Sequence, residues 1–269
     1  MSSRFPNRAV VLLLALGLAA PFVTARELRV CADPDNLPFS NRQQQGFENR
    51  IAELLASELH ARLTYEWQRM GRGFVREFLN KSRCDLLIGI PKDFRAVLTT
   101  SPYYRSTFVF VSRRDAEIKP ASLDDPRLGE MKIGVQAMEE EYTPPGQALA
   151  RRGLQNSIVG FHGVGQNARA IIEAVVQRQV NAAIVWGPLA AYFARDFGDT
   201  LVLTPLVPEM DSPNLPFTFE ISMGVRKGNE ALRDELEAVL QQRQSQIRRI
   251  LSDYAVPQLE LQQASRAGL

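Results

Sequence analysis

The chain has 269 residues, 45% of them hydrophobic, with 32 Lys and Arg against 30 Asp and Glu. Two of the basic residues, Arg4 and Arg8, fall in the first 25 residues, so the remainder is formally neutral. A neutral chain offers no basic face for nucleic acid and no electrostatic reason to seek an acidic membrane surface.

The opening MSSRFPNRAVVLLLALGLAAPFVTA has a basic start, an apolar run and small residues up to Ala25. That pattern predicts a secretory signal peptide cut after Ala25. The alternative is an uncleaved anchor, but the apolar run is about half of the roughly 20 residues a spanning helix needs. No other stretch of the sequence is long and apolar enough to cross a bilayer, so no membrane insertion is expected after cleavage. Removing 25 of the 269 residues leaves 244, enough for two lobes or one large domain. The polar tail from Gln262 to Leu269 reads as loose.

In chain order, LRVCA (28–32) reads as a buried strand, followed by the loop DPDNLPFSN. From Phe47, apolar residues recur at Ile51, Leu54, Leu55 and Leu59, which is helix spacing. RLTYEWQ (62–68) alternates as a strand, GFVREFLN (73–80) is a short helix, and CDLLIGI (84–90) is another buried strand. STFVFVSRR (106–114) is a further strand. Residues 115–130 are polar, contain two prolines and read as a crossing into a second unit. There the alternation repeats, with strands over 131–136, SIVGFHG, 180–186 and 200–207 and helices around GQALARRG, 167–179 and LAAYFARDF. MDSPNLP is a second crossing, FTFEISMGVRK (217–227) a long strand back in the first unit, and the rest closes as two helices.

Such alternation predicts an α/β fold of two lobes with mostly parallel sheets around a hinge cleft. Lobe 1 is expected over 26–114 and 213–269, and an inserted lobe 2 over 115–212. In open parallel sheets, ligands sit beyond the carboxyl ends of the strands. DPDNLPFSN leaves such an end, and the next helix points its N-terminus at the same place. The loop's polar groups, Phe39 and free helix N–H groups are therefore expected in the cleft wall.

Cys31 and Cys84 are the two cysteines. In a sheet of strand order 2-1-3 they lie on neighbouring strands, and an exported chain permits a disulfide. The alternative is two buried free thiols.

The quoted segments carry a resemblance. VCADPDNLPFSN, GFEN, FVR, CDLLIGIP, TTSPYYRSTFVFV, LDDPRL, IGVQ, TPPGQALARRG, VWGPLAAYF, ISMGVRKG and the terminal YAVP follow one another in this order. Together they resemble the type II periplasmic solute-binding proteins. They are most similar to the branch of accessory proteins associated with quinoprotein dehydrogenases, including those of methanol oxidation. The resemblance implies a periplasmic protein beside a dehydrogenase that carries pyrroloquinoline quinone (PQQ), and beside that enzyme's cytochrome c. Its implied role is to activate or mature the dehydrogenase, or to deliver something to it, with no enzymatic activity or bound cofactor of its own.

Amino-acid-binding members of the family clamp the ligand carboxylate with a Thr and an Arg after the third strand, and the amine with an acid from the second lobe. Here Pro91 stands near the expected Thr, Arg95 arrives at altered spacing, and Trp186, Gly187 and Pro188 stand near the expected acid. Half of the clamp is missing, so an amino-acid ligand is not expected. The cleft candidates are Asp33, Asn36, Phe39, Glu48, Arg95, Gln136 and Trp186. Each has a plainer reading. Asp33 and Asn36 can turn the loop, Glu48 suits a helix's first turn, Arg95 can pair across the hinge, and Trp186 can be core.

No HExxH, CxxC or metal-spaced carboxylate cluster occurs, so no metal site is expected. Three functions remain. One is the dehydrogenase accessory. The second is a receptor that closes on a small molecule or peptide and hands it to an ABC-type permease. The third is an enzyme on this scaffold, for which Glu48 and Glu220 are the acids to nominate.

Overall fold

In this computed structural model, residues 26–69, 71, 73–138, 141–162, 165–212 and 214–261 are described. The expected signal peptide and the tail from 262 lie outside them. The longer strands are β1 (Glu27–Ala32), β2 (Arg62–Trp67), β3 (Leu86–Pro91), β4 (Tyr104–Arg113), β5 (Ile133–Met138), β6 (Ile158–His162), β7 (Ala182–Trp186), β8 (Leu201–Pro205) and β9 (Thr218–Val225). The α-helices are α1 (Phe47–Glu58), α2 (Pro144–Arg151), α3 (Ala170–Val176), α4 (Gly187–Ala194), α5 (Glu230–Gln242) and α6 (Gln244–Asp253). The segment GFVREFLN contributes a single π-helical turn, Val75–Leu79.

The strands join in the order β6-β5-β7-β4-β9-β3-β1-β2, with β8 also paired to β4. β1 lies parallel between β2 and β3, and β5 lies parallel between β6 and β7. Those are the βαβ units that the alternation predicts. The strands that link them run antiparallel, so the sheet is mixed rather than mostly parallel.

β4 is the exchange point. Tyr104 to Thr107 pair with Ile221 to Thr218 of β9, whereas Phe108 to Ser112 pair with Trp186 to Ala182 of β7. The strand therefore changes partners between Thr107 and Phe108, ahead of the polar stretch 115–130 where the sequence placed the crossing. Tyr104 to Ser112 are all buried, and an apolar strand covered on both faces suits either sheet.

Each lobe has its own packing. Helix α1 turns Phe47, Ile51 and Leu55 onto β1, β3 and β9, where Leu28, Val30, Leu86, Ile88 and Met223 are buried with them. In the second lobe, Phe110, Ile133, Val135 and Leu149 cluster on one face of the sheet, and Val111, Ile171, Val175 and Val185 on the other. Trp186 packs against the first-lobe core and one second-lobe cluster, and Phe39 against the first-lobe core and the other.

Cys31 and Cys84 form a disulfide with their Cα atoms 5.4 Å apart. The strand order β2-β1-β3 brings them together as the sequence anticipated. The chain end ties the lobes at a second place. The Tyr254 hydroxyl donates to the Gln45 carbonyl at 2.5 Å, and Leu259 N–H donates to the Arg105 carbonyl at 2.8 Å. Arg195 of the second lobe donates to the Asp253 carbonyl at 2.9 Å, and Tyr192 stacks on Tyr254. Among the described residues, no helix is long and apolar enough to cross a membrane.

Candidate functional site

A cavity of about 390 Å³ lies where the lobes meet, within the size range of small-molecule clefts. Six of the seven residues singled out in the sequence line it: Asp33, Asn36, Phe39, Glu48, Gln136 and Trp186. Arg95 does not. It is exposed on the loop after β3, away from the cavity.

The first wall is built by one local segment. Beyond β1, the Asp33 carboxylate accepts the Asp35 N–H at 3.0 Å and turns the loop. The chain then folds back so that the Phe47 and Glu48 N–H groups donate to the carbonyls of Pro38 and Phe39, at 2.8 and 3.0 Å. Those groups are not free for a ligand, contrary to the sequence expectation. Gly46 makes the return possible, because a Cβ there would lie 1.9 Å from the Phe39 carbonyl oxygen. Asn49 completes the start of α1, its side-chain oxygen accepting from Gly46 N–H at 3.1 Å and Asn41 N–H at 3.2 Å.

Glu48 is left facing the cavity in the first turn of α1. Its carboxylate packs over the β3 backbone at Gly89, where φ is +80° and a Cβ would lie 1.9 Å from Oε1. Burial, with the neighbouring Asp33 charge, pushes the Glu48 carboxyl up to about 8. Burial also raises the Tyr104 phenol well above its ordinary value, with the Glu48 charge adding to it.

The second wall is assembled from distant segments. The Gln136 side chain, 6% exposed, accepts the Trp186 backbone N–H at 2.8 Å and so ties β5 to the end of β7. Its backbone carbonyl accepts from Thr143 N–H at 3.1 Å and from the Thr143 hydroxyl at 3.0 Å. The Trp186 ring meets Phe108 and Phe219 edge-on, with centroids 5.3 and 5.8 Å apart. Tyr104, Phe108, Thr143, Leu189 and Phe219 also line the cavity and were not singled out in the sequence. Glu220, nominated there as a catalytic partner of Glu48, pairs with Lys92 at 2.9 Å. Its strand neighbours Phe219 and Ile221 line the cavity and Glu220 does not, so the acid pair of the enzyme reading is not assembled.

Residues 28–256 match the bacterial extracellular solute-binding proteins, family 3. The chain belongs to that family. Over 254 residues it is 32% identical to Protein MoxJ of Methylorubrum extorquens, covering 87% of this chain and 82% of the relative. The crystal structure of MxaJ from Methlophaga aminisulfidivorans superposes with a TM-score of 0.77 at 27% identity, over 86% of this chain and all of that one. That of the periplasmic binding protein XoxJ from Methylobacterium extorquens gives 0.70 at 36% identity, over 87% of this chain and all of that one.

For a family 3 solute-binding protein, the cavity has one-sided chemistry. Its described lining contains two acids, Asp33 and Glu48, and no Lys, Arg or His. A guanidinium that would hold a ligand carboxylate bidentately is absent from that lining. Asp33 and Glu48 both belong to the first lobe, and Trp186 occupies the second-lobe rim beside the neutral Gln136.

Proposed function

We propose that this chain is a periplasmic, binding-protein-like accessory that binds a PQQ-dependent alcohol dehydrogenase of the methanol type and assists its activation or maturation, beside the enzyme's cytochrome c. The signal peptide cut after Ala25 would deliver it there. The observation that carries the reading is a likeness to MoxJ, MxaJ and XoxJ over most of the chain, combined with a described cleft lining that contains no Lys, Arg or His. Binding of the chain without residues 1–25 to the quinoprotein dehydrogenase of the same organism, measured by interferometry, tests it. Saturable binding that distinguishes cofactor-loaded from empty enzyme supports the accessory role. Absence of binding to both forms removes it.

The second reading is a solute receptor for an ABC transporter with a ligand other than an amino acid. A cavity between two lobes favours it, because hinge closure on a small ligand is what such a cavity serves.

A further inference from the structure

Helix α6 ends in a Schellman turn. Val256 N–H donates to the Leu251 carbonyl at 3.0 Å, and Ala255 N–H to the Ser252 carbonyl at 2.9 Å. Ala255 takes the left-handed conformation that this turn needs, with φ at +57°, and Val256 is buried with Leu251 in the first-lobe core. The segment that leaves the turn is thus anchored to the first lobe, yet most of its further contacts are with the second. The Asp253 carbonyl, one of those a helix end leaves unpaired, accepts from the Arg195 guanidinium at the end of α4, at 2.9 Å. The same guanidinium lies over the Tyr192 ring, 4.7 Å from its centroid. That ring stacks on Tyr254, with centroids 6.0 Å apart and planes 16° apart. Gly187 opens α4 and leaves room for the chain end, since a Cβ there would lie 3.2 Å from the Pro257 ring. Beyond it, Leu259 N–H donates to the Arg105 carbonyl of β4 at 2.8 Å, and the Arg105 side chain pairs with Glu209 on the return to β9.

The row of rings continues to the cavity. Tyr254 meets Phe47 with centroids 5.9 Å apart, Phe47 meets Phe39 at 5.3 Å, and Phe39 lines the cavity. A rotation of the second lobe about β4 and β9 has to break the Tyr192–Tyr254 stack and the Arg195 bond, because Val256 holds the chain end in the first lobe. We infer that residues 253–260 form a latch, which holds α4 of the second lobe against the first and so sets how far the cavity between them opens. The angle between the lobes is then fixed by the chain itself. The inference goes beyond the proposed function, since it concerns the lobes alone and stands whether or not the dehydrogenase binds.

Distances between spin labels on introduced cysteines test it in the whole exported chain, with the native disulfide kept. Ser57→Cys on α1 with Gln177→Cys after α3 gives one distance between the lobes, and Ser57→Cys with Gln155→Cys gives another; all three positions are exposed. With the latch intact, each pair should show one main distance and any second population below about 10%. Tyr192→Ala together with Arg195→Ala removes the second-lobe half of the latch, and neither residue belongs to a second-lobe core cluster. The second population should then rise at least about five-fold. Tyr254→Ala should give the same shift from the first-lobe side. Distances unchanged in both backgrounds would overturn the inference. So would a shift in Tyr254→Ala alone, which reports damage to the first-lobe core, or a broad distribution before either substitution.

Discussion

The two walls of the cavity are built in opposite ways. Asp33, Asn36, Phe39 and Glu48 come from 16 consecutive residues, which one strand, one loop and one helix start bring together. Gln136, Thr143, Trp186 and Leu189 come from segments up to about 50 residues apart, held by long-range pairing and by the hydrogen bond from Trp186 N–H to Gln136. The local wall carries both acids, and the assembled wall is neutral. Charge is therefore placed by short-range geometry, and shape by the closing of two lobes.

If that contrast is right, the local wall should fail at its tightest point. Gly46→Ala puts a methyl 1.9 Å from a backbone carbonyl, where no side chain can give way. We expect a loss of about 3 kcal/mol or more in urea unfolding, the range of severe overpacking. A loss under about 1 kcal/mol would mean that the loop readjusts and the wall is softer than described.

Reduction of Cys31–Cys84 should come next, because the bond links β1, which ends just before Asp33, to the segment that leads into β3 and Gly89. Its removal should lower stability by about 2–4 kcal/mol and lower the melting temperature. An unchanged melting curve, with two titratable thiols in denaturant before any reductant, would show that the bridge is absent.

On the assembled wall, Gln136→Ala leaves the Trp186 N–H without its acceptor. The expected cost is about 1–3 kcal/mol, with a change in Trp186 fluorescence. An unchanged emission spectrum would separate Trp186 from Gln136.

The last effect is the most specific. Glu48 has its folded value raised above the ordinary carboxylate range, so the folded state holds a proton that the unfolded state has released. Stability should therefore fall as pH rises from about 4.5 toward 8. Asp33, Tyr103 and Tyr104 face the same carboxyl, and Glu48→Gln should flatten that slope with little change at pH 5. A slope that survives the substitution would assign it to another group.

The same contrast explains what could be read from the sequence. LRVCADPDNLPFSN followed by a helix with apolar residues at Phe47, Ile51 and Leu55 signals the local wall directly, since all of its determinants are neighbours. Gln136 and Trp186 were legible because each ends a strand that the sequence predicts, over 131–136 and 180–186. Tyr104 and Phe108 were not, because β4 is buried on both faces and its side-chain directions depend on which sheet holds each half, and Phe219 reaches the cavity only because β9 pairs with β4. The free helix N–H groups were misread because the carbonyls that take them, Pro38 and Phe39, turn back only in three dimensions. Arg95 stood near the family's anion clamp through the resemblance, but it is exposed on the loop after β3 and does not line the cavity.

The position of β9 governs the order in which the molecule can be finished. That strand lies between β3 and β4, yet its residues, Thr218–Val225, are made after the whole second lobe. A chain emerges N-terminus first, at about 5–20 residues per second. The lobe that begins first must therefore wait with an open sheet, its β1–β3 disulfide already within reach, while β5 to β8 come out and close on β4. The last residues then supply the missing strand, two helices and the Tyr254 tie in a single closing step. The lobe that starts second is complete first.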